Sequence, residues 1–220
     1  MTTLQLDPDA FAESTIPQII TASNVDLRLT QPPKRFFRHG WQSWTLTTWL
    51  DPSDPPLPIR APEFRAKDED PVYAFHKNHV SAWVGAVELG EDDIILLGSL
   101  GLGGRVELDG TTLKGFYEVV QTGNLSNEWF AARGNEDDVF AKYISFLESK
   151  FGKTRFEKPP RVWCSWYSLL KWINEPALAK ALHGLKDLPF DVFQVDDGWQ
   201  DNSGHWEPNS KFSSGMSAFA

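Results

Sequence analysis

From Met1 to about Gly134 no stretch of the chain keeps a 3.6-residue apolar period over the length of a helix, and at Asn135 that changes. The first part therefore reads as all-β. Val25, Leu27 and Leu29 alternate with polar residues, and the β-rich runs Val80 to Leu89 and Ile94 to Leu100 flank the turn-prone Gly90-Glu91-Asp92-Asp93. Asp109-Gly110, set between Val106-Glu107-Leu108 and Thr111-Thr112-Leu113, is a two-residue hairpin signal. Asp51 to Pro62 carries five prolines and reads as an exposed loop. Beyond Asn135, Val139, Phe140, Tyr143, Ile144 and Leu147 recur at helical spacing behind an Asn cap and three acidic residues, which predicts one helix ending near Gly152. After Lys158-Pro159-Pro160 the order becomes strand (161–166), helix (about 176–185, with the apolar stripe Leu178, Ala181, Leu182, Leu185) and strand (191–195). That is one parallel βαβ unit. Lys211 to Ala220 reads as the approach to a further helix.

Charge and cysteine content narrow the function classes. With 21 basic against 30 acidic side chains the formal net charge is -9, the wrong sign for neutralising phosphates, so nucleic acid is not an expected partner. The longest aliphatic run, Ile94 to Leu97, falls far short of the roughly 20 residues that cross a bilayer, and Met1 to Phe11 lacks a basic and apolar leader pattern. A soluble, cytoplasmic protein is expected. Cys164 stands alone, so it makes no internal disulfide and no thiolate metal cluster; a small buried hydrophobe is its expected role. The 10 Trp and 15 Phe fit either large β-sheet cores or platforms for planar and sugar ligands.

The densest chemical signal is Phe193-Gln194-Val195-Asp196-Asp197-Gly198-Trp199-Gln200, an apolar strand ending in two carboxylates. Strand C-termini face the ligand in parallel α/β architectures, and two acceptor-only groups there suit a hydroxyl-rich ligand such as a sugar. The bland reading is an Asp-Gly turn that caps the next segment. A metal site of Asp196, Asp197, Asp201 and Asn202 misses the alternate-position spacing of a calcium loop. The preceding strand, Val162 to Tyr167, ends in Trp166 and Tyr167, either a stacking wall for a sugar or a cap on a core. Trp206 is a weaker candidate of the same kind. His39-Gly40-Trp41-Gln42-Ser43-Trp44 places two tryptophans beside glycine, as a ligand-reaching loop tip or as packing. His76 and His79 lack further zinc ligands nearby, and glycines 98, 101, 103 and 104 precede a hairpin where a phosphate loop needs a helix.

In this order, Trp-Gln-Ser-Trp, Trp-Cys-Ser-Trp-Tyr and Phe-Gln-Val-Asp-Asp-Gly-Trp resemble the α-galactosidases of glycoside hydrolase family 36, most strongly from Arg161 to Trp206. The resemblance implies an N-terminal β-supersandwich over residues 1–155 and, over 156–220, the first two βα units of a catalytic (β/α)8 TIM barrel. A closed barrel takes about 250 residues, so the barrel part is truncated. Carried over, Asp196 and Asp197 match the pair that binds galactose hydroxyls in the −1 subsite. Trp166 and Tyr167 match aromatics lining that pocket, and Trp44 the tryptophan lent by the N-terminal domain. Family members place a nucleophilic aspartate after the fourth barrel strand and an acid/base aspartate after the sixth, so no catalytic residue is assigned within residues 1–220. The resemblance further implies an α-galactoside oligosaccharide substrate, no cofactor or metal, and a full-length protein that forms homo-oligomers. Two alternatives accompany it: a raffinose-synthase-like galactosyltransferase, toward which Gln200 leans, and a non-catalytic galactoside-binding β-sandwich.

Overall fold

The computed structural model describes residues 3–11, 17–42, 45–56, 72–73, 76–118, 127–153, 158–202 and 204–219. The chain divides into two compact units, Met1–Lys153 and Thr154–Ala220. Among its described residues the first contains eleven strands: β1 (Thr3–Leu6), β2 (Gln18–Thr21), β3 (Asn24–Arg28), β4 (Arg35–Arg38), β5 (Thr48–Leu50), β6 (His79–Ala82), β7 (Val84–Gly90), β8 (Asp93–Ser99), β9 (Gly104–Asp109), β10 (Thr112–Tyr117) and β11 (Glu128–Gly134). They form a five-stranded sheet in the order β1-β3-β10-β9-β6 and a six-stranded sheet in the order β2-β11-β8-β7-β4-β5.

The alternation of Val25 and Leu27 on β3 and of Val106 and Leu108 on β9 sends both pairs toward Phe36, Val87, Ile95, Leu97 and Trp129 of the larger sheet, which makes the sandwich core. Ile94 to Leu97 is apolar without alternation because both faces of β8 are covered. Ile95 and Leu97 point into the sandwich, while Ile94 and Leu96 pack in a second cluster with Val139 and Tyr143. Those two residues belong to α1 (Glu136–Phe151), whose Asn135 cap accepts the Asp138 amide at 2.9 Å and which ends at Gly152, φ +87. Tyr143 lies over Gly98, where any Cβ would collide with its ring, and its hydroxyl donates to the Ser99 carbonyl at 2.8 Å. Burial holds that phenol well above its ordinary titration range. Ile144, read into the apolar stripe from sequence, is 55% exposed. It lies about 100° around the helix from Tyr143, beyond the edge of the face that the sheet covers.

The turns behave as their residues require. Asp92 and Gly110 take positive φ, +54 and +59, in the β7–β8 and β9–β10 hairpins. The expected single run from Val80 to Leu89 is two strands in different sheets. Trp83 breaks it at φ +63, with its amide bonded to Gly104 O at 2.9 Å and its carbonyl to the Ser99 amide at 2.7 Å. The proline-rich loop is described from Asp51 to Pro56 only, as turns, and its remainder lies outside the described residues.

The second unit contains β12 (Val162–Cys164), α2 (Trp166–Leu169), α3 (Glu175–Gly184) and β13 (Val192–Gln194). β12 and β13 pair in parallel, with Val162, Trp163 and Cys164 opposite Val192, Phe193 and Gln194. Arg161 and Asp191 clamp the start of both strands: the Arg161 amide donates to Asp191 Oδ2 at 2.8 Å, its Nε at 3.1 Å, and the Asp191 amide returns a bond to Arg161 O at 2.8 Å. The guanidinium bond keeps the Asp191 carboxyl below its usual titration range. Trp163 and Phe193 stack at 4.5 Å and pack on a core of Ile173, Leu178 and Phe212. Two expectations change here. The first strand stops at Cys164, because Ser165 O accepts the Leu169 amide at 2.8 Å and the chain turns into α2. Of the α3 stripe only Leu178 is buried and Leu182 is 43% exposed, since a two-stranded sheet is too narrow to cover the rest. Residues 216–219, within the segment read as the approach to a further helix, form a 3-10 turn. No helix among the described residues is long and apolar enough to cross a membrane.

Candidate functional site

The parallel register carries the chain past Cys164 and Gln194 to the carboxyl ends of both strands, where the chemistry-bearing residues collect. Ser165 is fully buried; its amide donates to Gln194 O at 3.0 Å, and its hydroxyl accepts the Asp196 amide at 2.9 Å. These two bonds extend the ladder one step and fix the backbone of Asp196 at the strand end. Its carboxylate is then held by three donors. Oδ1 accepts the Asp197 amide at 2.7 Å, and Oδ2 accepts the Cys164 thiol at 3.3 Å and the Gln194 side-chain amide at 3.2 Å. Asp197, next to it, pairs with Lys171 Nζ at 3.2 Å.

Glycine is required at 198. Its φ is +112, and a Cβ would stand 2.9 Å from both Cα and O of Lys171, so only glycine lets the two loops approach. The segment that follows is stitched back by Asn209, whose side-chain amide donates to Gly198 O and Gln200 O at 3.1 Å each. Leu170, at φ +49, ends the α2 turn in a backbone conformation strained for leucine, directly before Lys171. Together these features present two acceptor groups of different character, one locked in place and one paired with a lysine.

Of the sequence candidates, the structure brings Asp196, Asp197, Trp166 and Tyr167 to the same strand ends. Trp166 opens α2 half-buried, and Tyr167, 89% exposed, caps no core. Trp206 is 83% exposed with its ring 5.9 Å from Trp199. Trp44 lies outside the described residues. The histidine pair is engaged elsewhere: His79 Nε2 contacts Asp54 O at 3.1 Å, and His76 Nδ1 lies 3.3 Å from the Asn78 amide. Gly98 and Gly104 serve packing, since a Cβ at either would strike Tyr143 or Ser99.

Two solved structures of TtGalA, an α-galactosidase from Thermus thermophilus, are 39% identical to this chain over 92% of it. One, in complex with stachyose, superposes with a TM-score of 0.80; the other, with p-nitrophenyl α-D-galactopyranoside, with 0.79. The chain resembles the family 36 α-galactosidases. It spans 42% and 40% of the two TtGalA chains, so what is compared is part of an α-galactosidase. An α-galactosidase from Lactobacillus brevis, 15% identical with a TM-score of 0.52, covers 94% of this chain with 31% of its own length and shares the fold. No family model and no curated protein matches the chain. The residues that sequence reasoning missed are Cys164, Gln194, Ser165 and Lys171. Gln194 was legible from strand alternation, since it stands two residues before Asp196 and so on the same face, whereas the part of Cys164 depends on the register between the two strands. Cys164 is therefore no inert buried hydrophobe: its thiol is a donor to the candidate carboxylate.

Proposed function

We propose that this chain carries the galactosyl-recognition part of an α-galactosidase that removes terminal α-galactosyl residues from oligosaccharides with retention and without a cofactor. Residues 156–220 are, in this reading, the first two βα units of its catalytic (β/α)8 barrel, in which ligands sit at the carboxyl ends of the strands. The carrying observation is the rigidly held Asp196 carboxylate at such a strand end, in a chain 39% identical to a protein solved with stachyose. Asp196 and Asp197 accept hydrogen bonds from galactose hydroxyls, and Trp166 and Tyr167 supply apolar faces for the ring.

The adjacent carboxylates bind and do not catalyse. A retaining glycosidase needs two carboxyl groups about 5–5.5 Å apart on opposite sides of the scissile bond, one to attack and one to protonate. Neighbouring residues on one strand end cannot straddle a sugar. The nucleophile and acid/base are therefore assigned to sequence matching the part of TtGalA that this chain does not cover.

The test is titration of the chain with p-nitrophenyl α-D-galactopyranoside, alongside Asp196→Asn and Asp197→Asn. Saturable binding weakened at least tenfold by either change supports the reading, and binding indifferent to both sinks it. In the full-length protein, galactose release measured against galactosyl transfer to myo-inositol or sucrose separates a hydrolase from a transferase.

A further inference from the structure

We propose that Cys164 and Gln194 are positioning residues for Asp196, holding one carboxylate oxygen so that the other is left to a single sugar hydroxyl. The inference rests on the reading of Asp196 as a galactoside-binding group.

The argument starts from register. Cys164 and Gln194 are direct partners in the parallel pair, and strand alternation puts their side chains on the face opposite Trp163 and Phe193, which belong to the core. Asp196 is two residues past Gln194, on that same face, so the thiol and the amide form a floor beneath its carboxylate. Both donors reach Oδ2, the thiol at 3.3 Å and the amide at 3.2 Å. A carboxylate offers about four acceptor positions, two on each oxygen. Oδ2 is thereby filled. Oδ1 already accepts the Asp197 amide at 2.7 Å, which leaves one position on Oδ1. Asp196 can take one ligand hydroxyl, in a direction set by three donors that belong to the protein.

Sulfur fits this place for a geometric reason. The C–S bond is longer than C–O, so a thiol on β12 spans the gap to the neighbouring strand end, where a serine hydroxyl would stop short by roughly 0.4 Å and bond only once the Asp196 carboxylate shifts to meet it. A serine still donates, and an alanine does not. The role thus predicts a graded series that simple core packing would not produce, because serine and alanine are both smaller than cysteine.

The experiment compares p-nitrophenyl α-D-galactopyranoside affinity of the wild-type chain with Cys164→Ala, Cys164→Ser, Gln194→Leu and Asp196→Asn, with thermal midpoints recorded for each. The expected result is a loss of about three- to tenfold for Cys164→Ala and for Gln194→Leu, most of it restored in Cys164→Ser. A second readout needs no sugar: alkylation of Cys164, the lone cysteine, should run several-fold faster in Asp196→Ala, where the thiol loses its anionic acceptor. Wild-type affinity in both Cys164→Ala and Gln194→Leu, with binding lost in Asp196→Asn, overturns the inference while leaving the functional reading intact. An alkylation rate unchanged in Asp196→Ala also overturns it. If the wild-type chain does not bind the galactoside at all, the functional reading fails and the positioning role falls with it.

Discussion

The two units of this chain use the same kinds of residue to opposite ends. In the sandwich, Trp129, Phe36 and Phe130 are fully buried, and Trp129 also donates to Ala22 O at 3.0 Å. In the second unit Trp172, Trp206 and Tyr167 stand 83 to 89% exposed, and strands of three residues carry valines, Val162 and Val192, that are 40% and 43% exposed. The sandwich closes its own core on both faces of the larger sheet. The βαβ unit covers one face of its sheet and leaves both edges unpaired among the described residues. A tryptophan that packs and a tryptophan that waits for a ligand or for more chain cannot be told apart by composition. What separates them is whether the strand beneath is long enough to be covered twice.

That contrast can be broken most forcefully at Trp129. Trp129→Ala should destabilise the sandwich by about 3–5 kcal/mol in urea unfolding, whereas Trp206→Ala should move it by less than about 0.5 kcal/mol. Comparable losses would mean that Trp206 is packed. In the second unit, Leu178→Ala removes a fully buried side chain from a core of few members and should cost about 2–5 kcal/mol. Hydrogen exchange should then rise throughout residues 158–219 and stay unchanged in 79–134; protection lost in both would show a single cooperative structure. Gly98→Ala drives a methyl into the Tyr143 ring and should cost about 1–3 kcal/mol, read as a lower melting midpoint with α1 amides exchanging faster.

A subtler difference lies in pH. Burial holds His39 and His79, both in the sandwich, below the ordinary histidine value of 6.5. The groups facing His79 include Arg38 and Asp54, whose opposed effects are smaller than that of burial. A depressed histidine is neutral in both states at high pH; as pH falls below 6.5 the unfolded chain binds the proton first, so sandwich stability declines. The midpoint urea concentration should drop between pH 7.5 and 5, and His79→Gln should flatten that slope. An equal slope in the variant would place the titration elsewhere. The smallest effect expected is Lys171→Ala, which breaks an exposed ion pair with Asp197 and should change stability by about 0–1 kcal/mol, leaving any larger change to be read in galactoside affinity.

Much of this was written in the chain and some was not. The cap at Asn135, the Asp92 and Gly110 turns and the Val25–Leu27 alternation rest on local rules, and the structure follows them. The break at Trp83 escaped, because Val80 to Leu89 carries no turn-forming pair at that point and only the partner strands reveal that it belongs to two sheets. Asp196 was legible from its place at the end of an apolar strand. Its hold was not: Cys164 lies 32 positions away, and the bond between them depends on a parallel register that no single segment encodes.

The position of β11 has a consequence in time. It inserts between β2 and β8, and β10 pairs with β3, so strands within the first 28 residues find their antiparallel partners only in residues 112 to 134. A ribosome adding 5–20 residues each second needs roughly 5–20 s to cover that separation. Through that interval Ile20, Val25 and Leu27, all buried at the end, lack the antiparallel strands beside which they finish. Until residues 112 to 134 emerge, β2 and β3 hold apolar side chains that the finished fold covers, so residues 18–28 are exposed apolar surface during synthesis.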